Sequence, residues 1–175
     1  MGKIRQTRLQ NDYQSVRTLA ASCCFKDSYK LKILQAQGNP PENYRLEITN
    51  CRGIKAVINN KPQYSDRHVI KISNFPQDYP DPGQLPIVRA ETTLFHPNVY
   101  SDGRFCFAGA EINKVNQPLD ALIRRIVSMI QYENLRFGVP ANSQAKNWAD
   151  RYLSLFPLSP DSSSTASTAP QLRWR

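Results

Sequence analysis

Apolar residues recur at helical spacing in the first part of the chain, and the period then switches to two. Leu9, Tyr13, Val16 and Ala20 share one stripe of a helix predicted over about residues 5–21, with Arg5, Arg8 and Arg17 largely off it and facing outward. Leu31 and Ile33 then alternate with Lys30 and Lys32, Tyr44, Leu46 and Ile48 with Arg45, Glu47 and Thr49, and Ile70 and Ile72 flank Lys71. Such alternation marks strands with one buried and one wet face. Turn residues at Gly38-Asn39-Pro40-Pro41, at Asn59-Asn60-Lys61-Pro62 and along residues 75–83 separate these strands, and a further strand is expected over about residues 87–92. Strands joined by short turns predict a four-stranded antiparallel meander with helices over its dry face, an α+β fold.

Helical spacing returns after Cys106. Leu119, Leu122, Ile123, Ile126, Val127 and Ile130 form a broad stripe, with Pro118 acceptable at its first turn, and this helix is expected to pack on the sheet. A last helix is predicted from about Ser143, with Ala145, Trp148, Ala149 and Tyr152 on one face, Asn142 or Ser143 as its cap, and an end before Pro157. From Ser159 onward Ser, Thr, Ala and Pro dominate, and they bury too little apolar surface to offset the entropy of ordering. Residues 1–158 are therefore read as one domain and residues 159–175 as a disordered tail.

Composition narrows the class. The 175 residues suit a single domain with one active site. Cys23, Cys24, Cys51 and Cys106 show neither paired metal spacing nor the framework of a small secreted protein, so free thiols are expected, without metal or other cofactor. No run of about 18 apolar residues is present, and the basic N-terminus lacks an apolar stretch behind it, which predicts a soluble cytoplasmic protein without membrane association. The formal charge of +9 is enough to steer acidic partners, and it does not by itself distinguish a nucleic acid from an acidic protein face.

The candidate chemistry lies in residues 95–106, Phe-His-Pro-Asn-Val-Tyr-Ser-Asp-Gly-Arg-Phe-Cys. Here a Pro- and Gly-punctuated loop sets the amide of Asn98 eight residues before Cys106. Acyl transfer through a thioester needs an exposed sulfur nucleophile and an N–H donor where charge develops on the attacked carbonyl oxygen. Cys106 and Asn98 are the residues for those roles. A lone cysteine is more often a buried structural side chain, and only the motif before it reverses that expectation. His68 lies within a strand pattern and is expected at the surface or the edge of the core.

Phe75-Pro76-Gln77-Asp78-Tyr79-Pro80, then His96-Pro97-Asn98, then Gly103-Arg104-Phe105-Cys106 resemble the ubiquitin-conjugating enzymes in order and spacing. Across about residues 5–156 the resemblance implies an N-terminal helix, a four-stranded antiparallel meander, an active-site loop and C-terminal helices. It also implies that Cys106 accepts the C-terminal carboxyl of ubiquitin or a ubiquitin-like protein from an activating enzyme, then passes it to an amine, lysine being the expected acceptor. Asn98 would stabilise the oxyanion or hold the loop, His96 would brace the loop by hydrogen bonding, and Pro97 would fix its backbone. Family members use the N-terminal helix to engage the activating enzyme, which makes Arg5, Arg8 and Arg17 the candidates for that contact.

The chain also departs from the family pattern. No carboxylate can be assigned to the incoming amine, with Asp102, Glu111, Asp120 and Glu133 all open, and the Trp that often follows the cysteine is missing. Asp81-Pro82-Gly83 replaces the bulky apolar residue of ligase-binding members, leaving Pro118-Leu119 to supply part of any ligase surface. These departures suit a bacterial ubiquitin-like conjugation system or an unusual eukaryotic member, with a ligase or the target itself as the final partner. Rival readings are an inactive binding module of the same fold and a basic nucleic-acid-binding protein using Tyr100, Phe105 and Phe107. A cysteine hydrolase would need a histidine placed to activate Cys106.

Overall fold

The structure is a computed structural model that describes residues 2–26, 29–107, 117–133 and 139–157, without the side chains of residues 23–26. The tail, Glu111 and the loop of residues 134–138 lie outside the described residues. Helix α1 (Lys3–Lys26) leads into four strands, β1 (Lys30–Gly38), β2 (Pro41–Ile58), β3 (Lys61–Ser73) and β4 (Ile87–Ala90), followed by α2 (Leu119–Ile130) and α3 (Ser143–Ala149). The strands form one sheet in the order β1-β2-β3-β4, each antiparallel to its neighbour. This is the expected α+β meander, with β4 ending two residues earlier than the alternation predicted.

The alternation explains the layers. Tyr44, Leu46, Ile48, Ile70, Ile72 and Val88 turn inward and meet Leu9, Val16 and Leu19 of α1, along with the buried stripe of α2. Burial of one aliphatic side chain contributes about 2 kcal/mol, so the seven buried residues of α2 make it a principal support of the sheet. A register shift in β2 between Thr49 and Gly53 redirects its second half. Ile54 there joins Tyr132, Trp148 and Ala149 in a second apolar cluster, with Tyr64, Phe95 and Phe156 packed around it. This cluster lies beneath the loop that leads to Cys106.

Several side chains sit deeper than expected. Arg5 does not face outward: its guanidinium forks onto Glu42, at 3.0 and 2.5 Å, and donates to the carbonyls of Phe75 and Pro76. Arg8 grips Asp12 one turn further on and also donates to the Gln117 carbonyl, which leaves Arg17 as the exposed member of the three. His68 is fully buried, its Nε2–H lying 2.9 Å from the Cys51 carbonyl and 3.1 Å from that of Ser65. Desolvation lowers its pKa and keeps the ring neutral. Leu119 is likewise buried in the core, so of the Pro118-Leu119 pair only Pro118 is exposed. Helix α3 stops at Ala149, and Tyr152 lies beyond it, its ring tilted against that of Trp148 at 5.6 Å. Among the described residues no helix is long and apolar enough to cross a membrane.

Candidate active site

Two anchors hold the loop after β4. Phe95 donates its N–H to the Ile54 carbonyl at 2.7 Å, and its own carbonyl accepts the Tyr132 hydroxyl. Pro97 offers its carbonyl to the backbone N–H of Asn142 at 3.0 Å. The Asn142 side chain caps α3 by accepting from Ala145 N–H at 2.9 Å, so one residue starts the helix and fastens the loop to it.

Between these anchors lies His96, buried with its ring edge-on to Tyr132 at 4.6 Å. Its Nδ1 accepts the Asn98 N–H at 3.0 Å. An accepting Nδ1 puts the ring proton on Nε2, which is buried without a partner among the described residues. Burial first, and the charge of Arg125 second, push its pKa down to about 3. The ring is therefore neutral at ordinary pH and positions the loop.

Residues 98–106 then form a short hairpin. Val99 and Phe105 pair as an antiparallel bridge, Cys106 donates its N–H to the Asn98 carbonyl at 2.7 Å, and Tyr100 donates to the Arg104 carbonyl at 2.9 Å. Period two does the rest. Val99 and Phe105 point into the core, while the opposed pairs Asn98 with Cys106 and Tyr100 with Arg104 occupy the outer side. Gly103 makes the turn at φ +85° and holds the hairpin to β4 by accepting from Ala90 N–H at 2.9 Å. Phe105 N–H adds a bond of 2.9 Å to the Val88 carbonyl.

Cys106 is half-buried and is a free thiol. Cys51, by contrast, is fully buried, and desolvation pushes its thiol up to about 12, which makes it inert beside Cys106. Asn98 is half-buried too, its Oδ1 lacking a partner among the described residues. Tyr100 was read from sequence only as one of several aromatics, yet its phenol is held above the ordinary range, first by its hydrogen-bonding interaction with Cys106. Arg104 lies over the Tyr100 ring at 5.2 Å and is braced by Asp102 at 2.7 Å. Alternation within the hairpin was the signal that links these side chains. Of the open carboxylates, Asp102 is occupied with Arg104 and Arg89, and Glu133 accepts from Ser128. Phe105 and Phe107 are buried and stacked on each other, so the nucleic-acid reading has lost two of its three aromatics.

The sequence profile of the ubiquitin-conjugating enzyme family matches residues 25–152. A ubiquitin-conjugating enzyme E2 7 of Arabidopsis thaliana is 34% identical over 95 residues, which are 46% of this chain and 55% of that protein. One of the same description from Triticum aestivum is 30% identical over 102 residues, 50% of this chain and 58% of that protein. The chain thus spans a little over half the length of these curated relatives. They are plant proteins and lend no support to a bacterial system. A solved structure described as a ubiquitin conjugating enzyme from Trypanosoma cruzi shares the fold at a TM-score of 0.62 and 16% identity, over 87% of this chain and 94% of that one.

Proposed function

The chain belongs to the ubiquitin-conjugating enzyme family, and from that premise we propose that it carries ubiquitin or a ubiquitin-like protein as a thioester on Cys106 and transfers it to an amine, lysine being the expected acceptor. The observation that carries this reading is the opposed pair of Asn98 and Cys106 on the outer side of a hairpin fastened at both ends.

The chemistry needs little else. Cys106 Sγ attacks the carbonyl of the thioester delivered by the activating enzyme, that enzyme's thiol leaves, and the new thioester preserves the acyl group's reactivity. An incoming amine then attacks the same carbonyl, loses a proton to solvent and expels Cys106 as the thiolate. Both steps pass through a tetrahedral oxyanion, and the Asn98 amide beside Cys106 supplies the donor for it. His96 acts as a brace: a ring held neutral down to about pH 3 and engaged at Nδ1 supports the loop and takes no proton. Pro97 joins the brace through its carbonyl.

Helix α1 is the proposed contact for the activating enzyme. Arg17 is the exposed one of the three arginines, whereas Arg5 and Arg8 would act mainly by holding the helix on the domain. Among the described residues, Pro118 is the exposed member of the pair expected to supply part of a ligase surface, and direct transfer to the target is the proposed route. The test is to incubate the protein with ATP, a panel of ubiquitin-like modifiers and their activating enzymes, and compare gels with and without reductant. A thiol-sensitive adduct is expected with one modifier, and Asn98→Ala should still form it while discharging it at least tenfold more slowly. Absence of any adduct across the panel, or normal discharge in that variant, contradicts the reading of the corresponding residue.

A further inference from the structure

The outer face of the sheet carries a row of like charge. Arg45 on β2 lies directly opposite Lys71 on β3, Lys71 opposite Arg89 on β4, and Arg89 opposite Arg104 of the hairpin. Opposed residues in antiparallel pairs share a face, and all four are exposed. At about 4.8 Å per strand the row runs for about 14 Å. It ends beside the nucleophile, because Arg104 and Cys106 stand two residues apart on the same side of the hairpin.

Like charges set directly opposite one another destabilise a sheet, and the row is only partly balanced. Glu91 pairs with Arg45 at 2.6 Å, and Asp102 serves both Arg104 at 2.7 Å and Arg89 at 3.5 Å. Lys71, at the centre, has two cationic neighbours and no ion pair among the described residues. A carboxylate at this position would bridge Arg45 and Arg89 and would serve the fold better than an ammonium. The lysine is thus a cost to stability that a partner's negative charge would relieve.

We propose that this row is a docking surface for an acidic, extended segment of the acceptor protein, running from Lys71 towards Arg104 and so placing the acceptor amine near Cys106. The proposal rests on the reading of Cys106 as the thioester carrier. A carboxylate chain is favoured over a nucleic acid because the four residues of the row include no aromatic on which a base could stack, and Tyr100, the ring beside it among the described residues, is already covered by Arg104. The arginines here already bind carboxylates of the chain itself, Arg45 through Nε to Glu91 and Arg104 through Nε to Asp102.

Two measurements test this. In the first, a fluorescent octaglutamate peptide and an oligothymidylate of equal charge are titrated against the full chain at low and physiological salt. The octaglutamate should bind more tightly than the oligothymidylate and weaken at least tenfold with salt. Lys71→Glu should weaken it by fivefold or more while the melting temperature stays level or rises, and Lys71→Gln should fall between. In the second, the charged protein is discharged onto a lysine peptide flanked by glutamates and onto one flanked by serines. Wild type should prefer the acidic peptide several-fold through KM, and Lys71→Glu should bring that ratio close to one. Equal binding of octaglutamate by wild type and Lys71→Glu, tighter binding of the oligothymidylate, or an unchanged ratio would overturn the proposal. If no thioester forms, the carrier reading fails, and the titration still decides whether the row binds an acidic segment.

Discussion

The carboxylate of Asp12, on α1, accepts the backbone N–H of Leu119, the first residue of α2, at 3.0 Å. Pro118 at the cap position offers no side-chain acceptor, so a residue from another helix performs the capping. The other Asp12 oxygen takes the Tyr79 hydroxyl at 2.5 Å, and Arg8 neutralises the charge. One buried carboxylate therefore ties together α1, the turn after β3 and the start of α2. Asp12→Ala leaves the Leu119 N–H, the Tyr79 hydroxyl and Arg8 without their acceptor, and should lower stability by about 3 kcal/mol in urea denaturation. Asp12→Asn, which keeps an acceptor for Leu119, should lose less.

Gly103 offers a test of the hairpin. A methyl group there would lie 2.4 Å from the Ala90 carbonyl oxygen, on a backbone at φ +85° that side chains rarely adopt. Gly103→Ala should cost about 2 kcal/mol or more and slow adduct formation on Cys106, because the turn that opposes Asn98 and Cys106 must shift. Stability equal to wild type would show that the hairpin is looser than described.

Acid should destabilise the fold early. His96, with its pKa lowered to about 3, and His68, also lowered, are both buried as neutral rings. In the unfolded chain each gains a proton near pH 6.5, so their contribution is complete above that pH and is lost as pH falls towards the folded value. Stability should fall between pH 6.5 and pH 5, before most carboxylates titrate, by about 1.4 kcal/mol per pH unit from His96, with His68 adding to the loss in the same direction. Urea midpoints measured at half-unit intervals would show this slope, and a flat profile in that window would contradict the burial of both rings.

Arg5 and Arg17 should separate. Arg5→Ala removes a bidentate pair to Glu42 and two bonds to carbonyls, and should cost about 1–2 kcal/mol of stability. Arg17→Ala should leave stability within about 0.5 kcal/mol of wild type. It should instead slow charging by the activating enzyme, by an amount that shrinks as salt rises. A salt-independent rate, equal to wild type, would remove Arg17 from that interface.

Much of this was legible in the chain, and the parts that were not share a cause. Every residue of the predicted α2 stripe is buried, and the period-two runs became the inward face of the sheet, because local periodicity reports directly on burial. His68 carries the parity of Ile70 and Ile72, so its burial was also written in the pattern, masked by its polar type. Asp12 stands at helical spacing between Leu9 and Val16, but its partners are 67 and 107 residues away, and nothing local announces them. The inward turn of Arg5 depends in the same way on Glu42 and on the carbonyls of residues 75 and 76. The spacing of Asn98 and Cys106 was evident, whereas the hairpin register that opposes them, and sets Tyr100 against Arg104, needed the backbone pairing.

The central claim is that the Cys106 sulfur takes the acyl group, and replacing that sulfur by oxygen tests it most directly. Cys106→Ser should accumulate, more slowly, an adduct with the modifier that survives thiol and is cleaved by mild alkali, in place of the thiol-labile adduct of wild type. If that variant instead forms a thiol-labile adduct at the wild-type rate, another cysteine carries the modifier and the account is wrong.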